Sequence, residues 1–315
     1  MKFRAHQKGI TALTIHPQDQ YLVTGHTGGA IYAWDYHQGQ PRAAIRDAGE
    51  RSQRISSLAF NPDGTVLACA ITYSALKGRV ELRDTQQWGV LSVIDSEQVY
   101  DLSWSPDGSV LVIAKNDILI MSSKTYKETN RLEDLSGRNH CVTFSKSGEY
   151  LLAGGDYYDP SIGVWNTKTF EFTTKMPNDE TDIAATNFVY EPFQFVHSSD
   201  NIFLLYDANG LFEYNIQQNR LTMRWEPEEF DDVSAVAVSP DGQSIAYATT
   251  VSLETGLVRI KDIQTGQLLH KVTDLSCRVG CLHFVENTKL IIGDMDGFIT
   301  VEESNTHKRA WRFIG

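Results

Sequence analysis

One short turn motif recurs along this chain and limits what the chain can fold into. Asn61-Pro62-Asp63-Gly64, Ser105-Pro106-Asp107-Gly108 and Ser239-Pro240-Asp241-Gly242 each follow a run of β-forming residues. His16-Pro17-Gln18-Asp19 and Ser145-Lys146-Ser147-Gly148 occupy the same slot, with weaker counterparts at Tyr190-Glu191-Pro192 and Val285-Glu286-Asn287. The markers divide the 315 residues into seven units of about 45 residues. Each unit opens with a strand of small and β-branched residues, such as Ile10-Thr11-Ala12-Leu13-Thr14-Ile15 or Val233-Ser234-Ala235-Val236-Ala237-Val238. A second apolar strand follows the turn, as in Thr65-Val66-Leu67-Ala68-Cys69-Ala70, and a third ends near Trp34 in unit one and Trp165 in unit four. Alternation and β-branching support strands throughout, with Gly, Asp and Asn at the turns. No helix-period stretch is long enough to form a second layer.

A four-stranded antiparallel sheet cannot cover its own faces, so such units must stack on one another in a ring. The expected fold class is all-β, a seven-bladed β-propeller of four-stranded antiparallel blades, with residues 1–315 as one domain. Residues 21–35, YLVTGHTGGAIYAWD, end on Trp34-Asp35, and here the chain resembles the WD-repeat family. The resemblance extends over essentially the whole chain. It implies that the small-residue strand of each unit lines a central channel. It also implies a hydrogen-bonded tetrad in a blade, for which unit one supplies His6, Thr24 and Trp34, with Asp35 following. Gly28 stands where the tetrad's Asp belongs. Unit four keeps Trp165 but follows it with Asn166. Units two and six read Arg83-Asp84 and Lys261-Asp262 at that place, and unit seven reads Glu302-Glu303 after a turn at Asp296-Gly297. No tetrad is complete, so the blades are expected to rest on strand pairing and apolar packing more than on buried polar networks. Lys308-Arg309-Ala310-Trp311-Arg312-Phe313 echoes the fourth strand of unit one, Pro41-Arg42-Ala43-Ala44-Ile45-Arg46. The C-terminus is therefore expected to supply the outer strand of the last blade; an N-terminal strand there is the alternative.

The formal charge of −12 argues against a nucleic-acid module, which needs clustered basic surface, and against an anionic membrane surface. It favours proteins or peptides with a basic segment. Residues 1–6 lack the apolar run of a secretory signal and the four cysteines suit a reducing compartment, so a cytoplasmic location is expected. Cys277 and Cys281 have the wrong spacing for a zinc knuckle, and His283 beside them reads as a packing neighbour. No metal or cofactor is expected.

Catalytic motifs are absent from the sequence. Gly25, Gly28 and Gly29 lie in a hairpin with no helix after them, and there is no nucleophile elbow or paired-histidine zinc motif. His16 and His37 read as solvated turn residues. His140, His283 and Asp101 lie near or on innermost strands and could approach the channel, but they come from blades four, seven and three, so structural hydrogen bonding is the better reading. The expected function is accordingly a non-enzymatic interaction module or scaffold. A propeller hydrolase or lactonase with chemistry at the channel mouth, and a structural subunit of a larger complex, are the alternatives.

Three second-to-third strand connections, at residues 71–78, 155–161 and 249–256, read as long loops. Long loops on a rigid scaffold are where binding residues concentrate. The middle one carries Tyr157, Tyr158 and Asp159. Asp179, Glu180 and Asp182 lie between units four and five, and Glu228, Glu229, Phe230, Asp231 and Asp232 between units five and six. Together these would form an acidic, aromatic-dotted platform flanking blade five for a basic segment. The other readings are a solvated acidic rim and a cation site, although the carboxylates follow no recognisable ligand spacing.

Overall fold

The computed structural model describes residues 8–18, 21–49, 53–135, 138–154, 162–175, 194–195, 202–207, 210–225, 233–252, 255–275, 277–303 and 308–314. Blade 1 contains β1 (Ile10–Ile15), β2 (Leu22–His26), β3 (Ile31–Asp35) and β4 (Gln40–Arg46). Blade 2 contains β5 (Arg54–Phe60), β6 (Val66–Ser74), β7 (Lys77–Asp84) and β8 (Val90–Ser96). Blade 3 follows with β9 (Asp101–Trp104), β10 (Val110–Ala114), β11 (Ile118–Ser122) and β12 (Glu128–Leu132). Blade 4 has β13 (Cys141–Phe144), β14 (Tyr150–Gly154), β15 (Ile162–Asn166) and β16 (Phe172–Lys175). Blade 5 has β17 (Gln194–Phe195), β18 (Ile202–Asp207), β19 (Gly210–Asn215) and β20 (Arg220–Trp225). Blade 6 has β21 (Val233–Val238), β22 (Ser244–Ser252), β23 (Thr255–Asp262) and β24 (Leu268–Leu275). Blade 7 has β25 (Val279–Glu286), β26 (Lys289–Asp294), β27 (Phe298–Glu303) and β28 (Lys308–Ile314). Every sheet is a four-stranded antiparallel meander, and the seven form a β-propeller. Blade 7 takes its outer strand from the C-terminal segment, β28 pairing with β27.

The repeated turn is locally encoded. In blade 3, Ser105 Oγ accepts from the Val110 amide at 3.1 Å and Asp107 Oδ1 from the Ser109 amide at 3.0 Å. Blades 2 and 6 repeat this with Asn61 to Val66 and Ser239 to Ser244. Gly108 adopts φ +69°, open to glycine without strain, and a Cβ there would lie 3.5 Å from Pro62 of the preceding turn. A Cβ on Gly148 would likewise lie 3.3 Å from Pro106, so the turns of blades 2, 3 and 4 pack Pro against Gly in succession.

The core is a ring of seams between blades. Ile55, Leu58 and Leu67 of blade 2 pack with Val23, Ile31 and Ile45 of blade 1. The ring closes where Ile10, Leu22 and Trp34 of blade 1 meet Ile291, Ile299 and Val301 of blade 7. Ser and Thr on the innermost strands do more than save space. Thr11 Oγ1 donates to Ile55 O at 2.6 Å and Ser56 Oγ to Val99 O at 2.7 Å, each to the next blade.

One register position bolts the seams together. Trp34, Arg83, Met121, Trp165, Tyr214, Lys261 and Glu302 all stand opposite an apolar residue of the second strand, respectively Leu22, Leu67, Leu111, Leu151, Phe203, Ile245 and Leu290. Each reaches the preceding blade. Arg83 donates to Ile45 O at 3.2 Å, and Trp165 Nε1 donates to Asp134 Oδ2 at 2.8 Å. Lys261 Nζ lies 4.6 Å from the centre of the Trp225 ring, and Glu302 meets His270 Nε2 at 2.8 Å. Buried polar links therefore hold several seams, contrary to the expectation of mainly apolar joints. A buried charge must be paired or stacked; the neighbouring blade supplies that partner for Lys261 and Glu302, and Glu81 of the same blade supplies it for Arg83.

Candidate functional site

Each blade presents two ends. The first-to-second and third-to-fourth turns share one of them, because Thr85 N bonds Thr65 O, Ser123 N bonds Ser109 O and Ile263 N bonds Gln243 O. At the other end the second-to-third turn meets the segment entering the next blade. There Asn139 Nδ2 donates to Lys115 O at 3.1 Å and to Asn116 O at 3.0 Å. Two of the connections read as long loops are instead strand. Thr72 pairs with Gly78 and Ser74 with Lys77, so β6 and β7 project as a tight hairpin. β22 and β23 do the same, with Thr250 paired to Gly256 and Ser252 to Thr255. Thr, Tyr, Ser and Val continue the ladder there because strand-forming residues pair wherever nothing interrupts them.

The proposed platform, comprising Tyr157, Tyr158, Asp159, Asp179, Glu180, Asp182, Glu228, Glu229, Phe230, Asp231 and Asp232, lies outside the described residues, as does His6. Of the blade-bracing residues, Trp34 Nε1 donates to Thr24 Oγ1 at 2.8 Å, both side chains buried. Asp35 instead caps its own turn, accepting from the amides of His37 and Gln38. His26 fills the place next to Gly28, accepting the Gly28 amide at 2.7 Å. Burial, with Lys8 nearby, pushes its imidazole down to about 4, so it stays neutral. In blade 7 the turn is held by Asp294, which accepts from the amides of Asp296 and Phe298.

The channel-side candidates are tied into the scaffold. Asp101 accepts from Ser57 Oγ at 2.8 Å, from its neighbour Leu102 at 2.8 Å and from the Val142 amide at 3.1 Å, lacing blades 2, 3 and 4 together. Burial raises its carboxyl above the ordinary range, against the pull of those bonds. The His140 ring lies 4.3 Å from that of Tyr100, tilted by 52°. Burial pushes the Cys277 and Cys281 thiols up to about 12, which keeps them protonated and poor ligands. Among the described residues no three His, Cys, Asp or Glu side chains converge to hold a metal ion.

His16 corrects the sequence reading. It is buried, bonds Gly64 O at 2.9 Å, stacks on Tyr21 at 4.7 Å and meets the edge of Phe60. Its turn is packed against the turn of the next blade, which shields most of the ring from water. Beside it lies a groove of about 620 Å³ between blades 1 and 2, lined by Tyr21, Arg42, Asp63, Thr65 and Trp88 among others. The Arg42 guanidinium sits 4.4 Å from the centre of the Tyr21 ring. No distinct sequence signal marks this groove, because the Trp88 turn position is aromatic in blades 3 and 4 as well, as Tyr126 and Phe170, and is Gly39 and Gly266 in blades 1 and 6.

The WD domain, G-beta repeat family matches residues 1–35 of the chain. Among curated proteins, pre-mRNA-processing factor 19 homolog 2 of Arabidopsis thaliana is 27% identical over 51% of this chain and 31% of its own. Human echinoderm microtubule-associated protein-like 2 is 26% identical over 53% of this chain and 25% of its own. WD repeat-containing protein 1 of Gallus gallus is 23% identical over 87% of this chain and 44% of its own. The alignments thus span less than half the length of each of these relatives.

Proposed function

We propose, on the premise that this chain is a WD-repeat protein, that it works by binding a protein or peptide and not by catalysis. The observation that carries this reading is the commitment of Asp101 to the scaffold, since it accepts from Ser57, Leu102 and Val142 and has the Cys141 thiol beside it. A carboxylate so engaged is unavailable as an acid, base or ligand at a channel mouth. Two relatives are named as a pre-mRNA-processing factor homolog and as a microtubule-associated protein-like protein, which supports a role in binding other macromolecules. The net charge of −12 favours a partner with a basic segment over nucleic acid or an anionic membrane. The four free thiols suit a reducing compartment, and the reading places the protein in the cytoplasm.

The partner-binding face in this reading is the loop face flanking blade five, with Asp179, Glu180, Asp182, Glu228, Glu229, Asp231 and Asp232 steering the encounter. Tyr157, Tyr158 and Phe230 would supply contact area. Affinity capture from native lysate at low salt, followed by mass spectrometry, identifies the partner. Reversing Glu228, Glu229, Asp231 and Asp232 to Lys should then slow association by about tenfold and flatten its salt dependence. Replacing Tyr157 and Tyr158 by Ala should speed dissociation. Unchanged kinetics in both variants would sink the platform. A second reading, a subunit of a larger assembly, draws on Val90, Leu91 and Val93, which are exposed on the outer strand of blade 2.

A further inference from the structure

The outermost strand of each blade leaves an edge, and an unprotected edge invites another strand. Six of the seven carry residues that discourage this. β4 has Pro41, Arg42 and Arg46, and β12 has Arg131. β16 has Lys175, β20 has Arg220 and Arg224, β24 has Lys271, and β28 has Lys308, Arg309 and Arg312. Pro lacks the amide a ladder needs, and Lys or Arg resist the desolvation that pairing brings. β8, Val90-Leu91-Ser92-Val93-Ile94-Asp95-Ser96, has none of the three. Among the described residues it pairs with β7 alone.

β8 also exposes aliphatic side chains, as β24 does with Leu268 and Leu269, but only β8 does so on an edge without Pro, Lys or Arg. Val90 and Leu91 are each 48% exposed and Val93 is 45% exposed. Along the strand Leu91, Val93, Asp95 and then Glu97 are exposed, while Ser92, Ile94 and Ser96 are partly covered. Ile94 packs into the seam between blades 2 and 3. One face of β8 is therefore aliphatic at its start and acidic at its end.

We infer that the outer edge of β8 is a docking edge that takes an extended segment of a partner protein, aliphatic at one end and basic at the other, as a fifth strand of blade 2. Main-chain bonds to the free edge supply affinity, and alternate side chains supply the choice of sequence. An antiparallel segment sets Lys or Arg opposite Glu97 and Asp95 first, then aliphatic residues opposite Val93 and Leu91. A second copy of this chain fits less well. Antiparallel β8–β8 pairing about Val93 sets Leu91 against Asp95 and brings together two chains of formal charge −12. The inference rests on the reading of the chain as an interaction module but uses a surface remote in sequence from the loops flanking blade five. Variants at the two places therefore fail separately.

The test uses the full chain and a fluorescent probe peptide, Lys-Thr-Lys-Thr-Val-Thr-Val, with the reversed sequence as its control. Saturable anisotropy changes are expected for the probe, together with slowed amide exchange across β8. The reversed peptide, and the Leu91→Lys/Val93→Lys variant of the protein, should each bind at least about tenfold more weakly. Asp95→Lys should remove the salt dependence of binding. All these positions are exposed, and a melting temperature unchanged from the parent shows that the variants fold. The inference is overturned by absence of saturable binding up to about 1 mM probe, by protection elsewhere than β8, or by binding indifferent to the variants. A concentration-dependent dimer in sedimentation velocity that Val93→Lys abolishes would overturn it in favour of self-pairing.

Discussion

Replacing Glu81 by Gln changes one atom and should loosen the seam between blades 1 and 2. The Glu81 side chain is 2% exposed and faces three guanidinium groups. Arg83 reaches Oε2 through Nε at 3.0 Å and Nη2 at 2.6 Å, Arg79 bonds Oε1, and Arg46 of blade 1 lies 3.7 Å from Oε1. The arginines have further acceptors, Gly29 O and Gln53 for Arg46, and Ile45 O and Trp88 O for Arg83. Most of their hydrogen bonds therefore survive the substitution, and what disappears is the compensating charge. Removing one member of a buried ionic network costs about 3–5 kcal/mol, because the remaining charge stays desolvated. With an unfolding entropy of about 2.1 cal/mol/K per residue over this chain, that is a fall in melting temperature of about 5–8 °C. Chemical denaturation and calorimetry of Glu81→Gln read both quantities. Adding Arg83→Met should recover part of the loss, since the second change removes the charge left unpaired. Arg79→Gln should cost only about 1 kcal/mol, its side chain being one-third exposed and screened by water. A Glu81→Gln protein within about 1 kcal/mol of the parent would refute the view that charge compensation holds this seam.

His26 gives a pH prediction: its folded-state pKa of about 4 lies below the ordinary 6.5, so the unfolded chain binds the proton more readily. That contribution is complete above pH 6.5 and lost as pH falls toward 4; denaturation midpoints of His26→Gln across this window should fall less steeply than those of the parent. Trp34→Phe keeps an aromatic ring but removes the hydrogen bond to the Thr24 hydroxyl, costing about 1 kcal/mol, and the Thr24→Val/Trp34→Phe double variant should lose less than the sum of the singles. Trp88 holds φ at +62° and packs against the seam beside Tyr21. Trp88→Gly should relieve the backbone yet leave a void, with a net loss of about 2 kcal/mol by urea denaturation; a gain in stability would show that the ring contributes nothing there.

The repeat count, the strand order and the turns were legible in the chain because each depends on residues close in sequence. Ser105 caps Val110, Asp107 caps Ser109 and Gly108 takes its positive φ within a single hairpin, so the motif carries its own structure wherever it stands. The paired tips of blades 2 and 6 are not legible in the sequence, because strand-forming residues at a blade tip look the same whether or not they pair. The seam position was legible by register, since Trp34, Arg83, Trp165, Lys261 and Glu302 all fall where the motif's Trp belongs, but what each of them meets was not, because the preceding blade supplies it. His270 lies 32 residues from Glu302 and Asp134 lies 31 from Trp165, far beyond the reach of any local pattern. The burial of His16 is equally non-local, since the turn of the next blade supplies it. Local sequence specified each blade by itself; closing seven of them into a ring decided which polar groups would be buried and what would satisfy them, because desolvation is a property of the assembled seam.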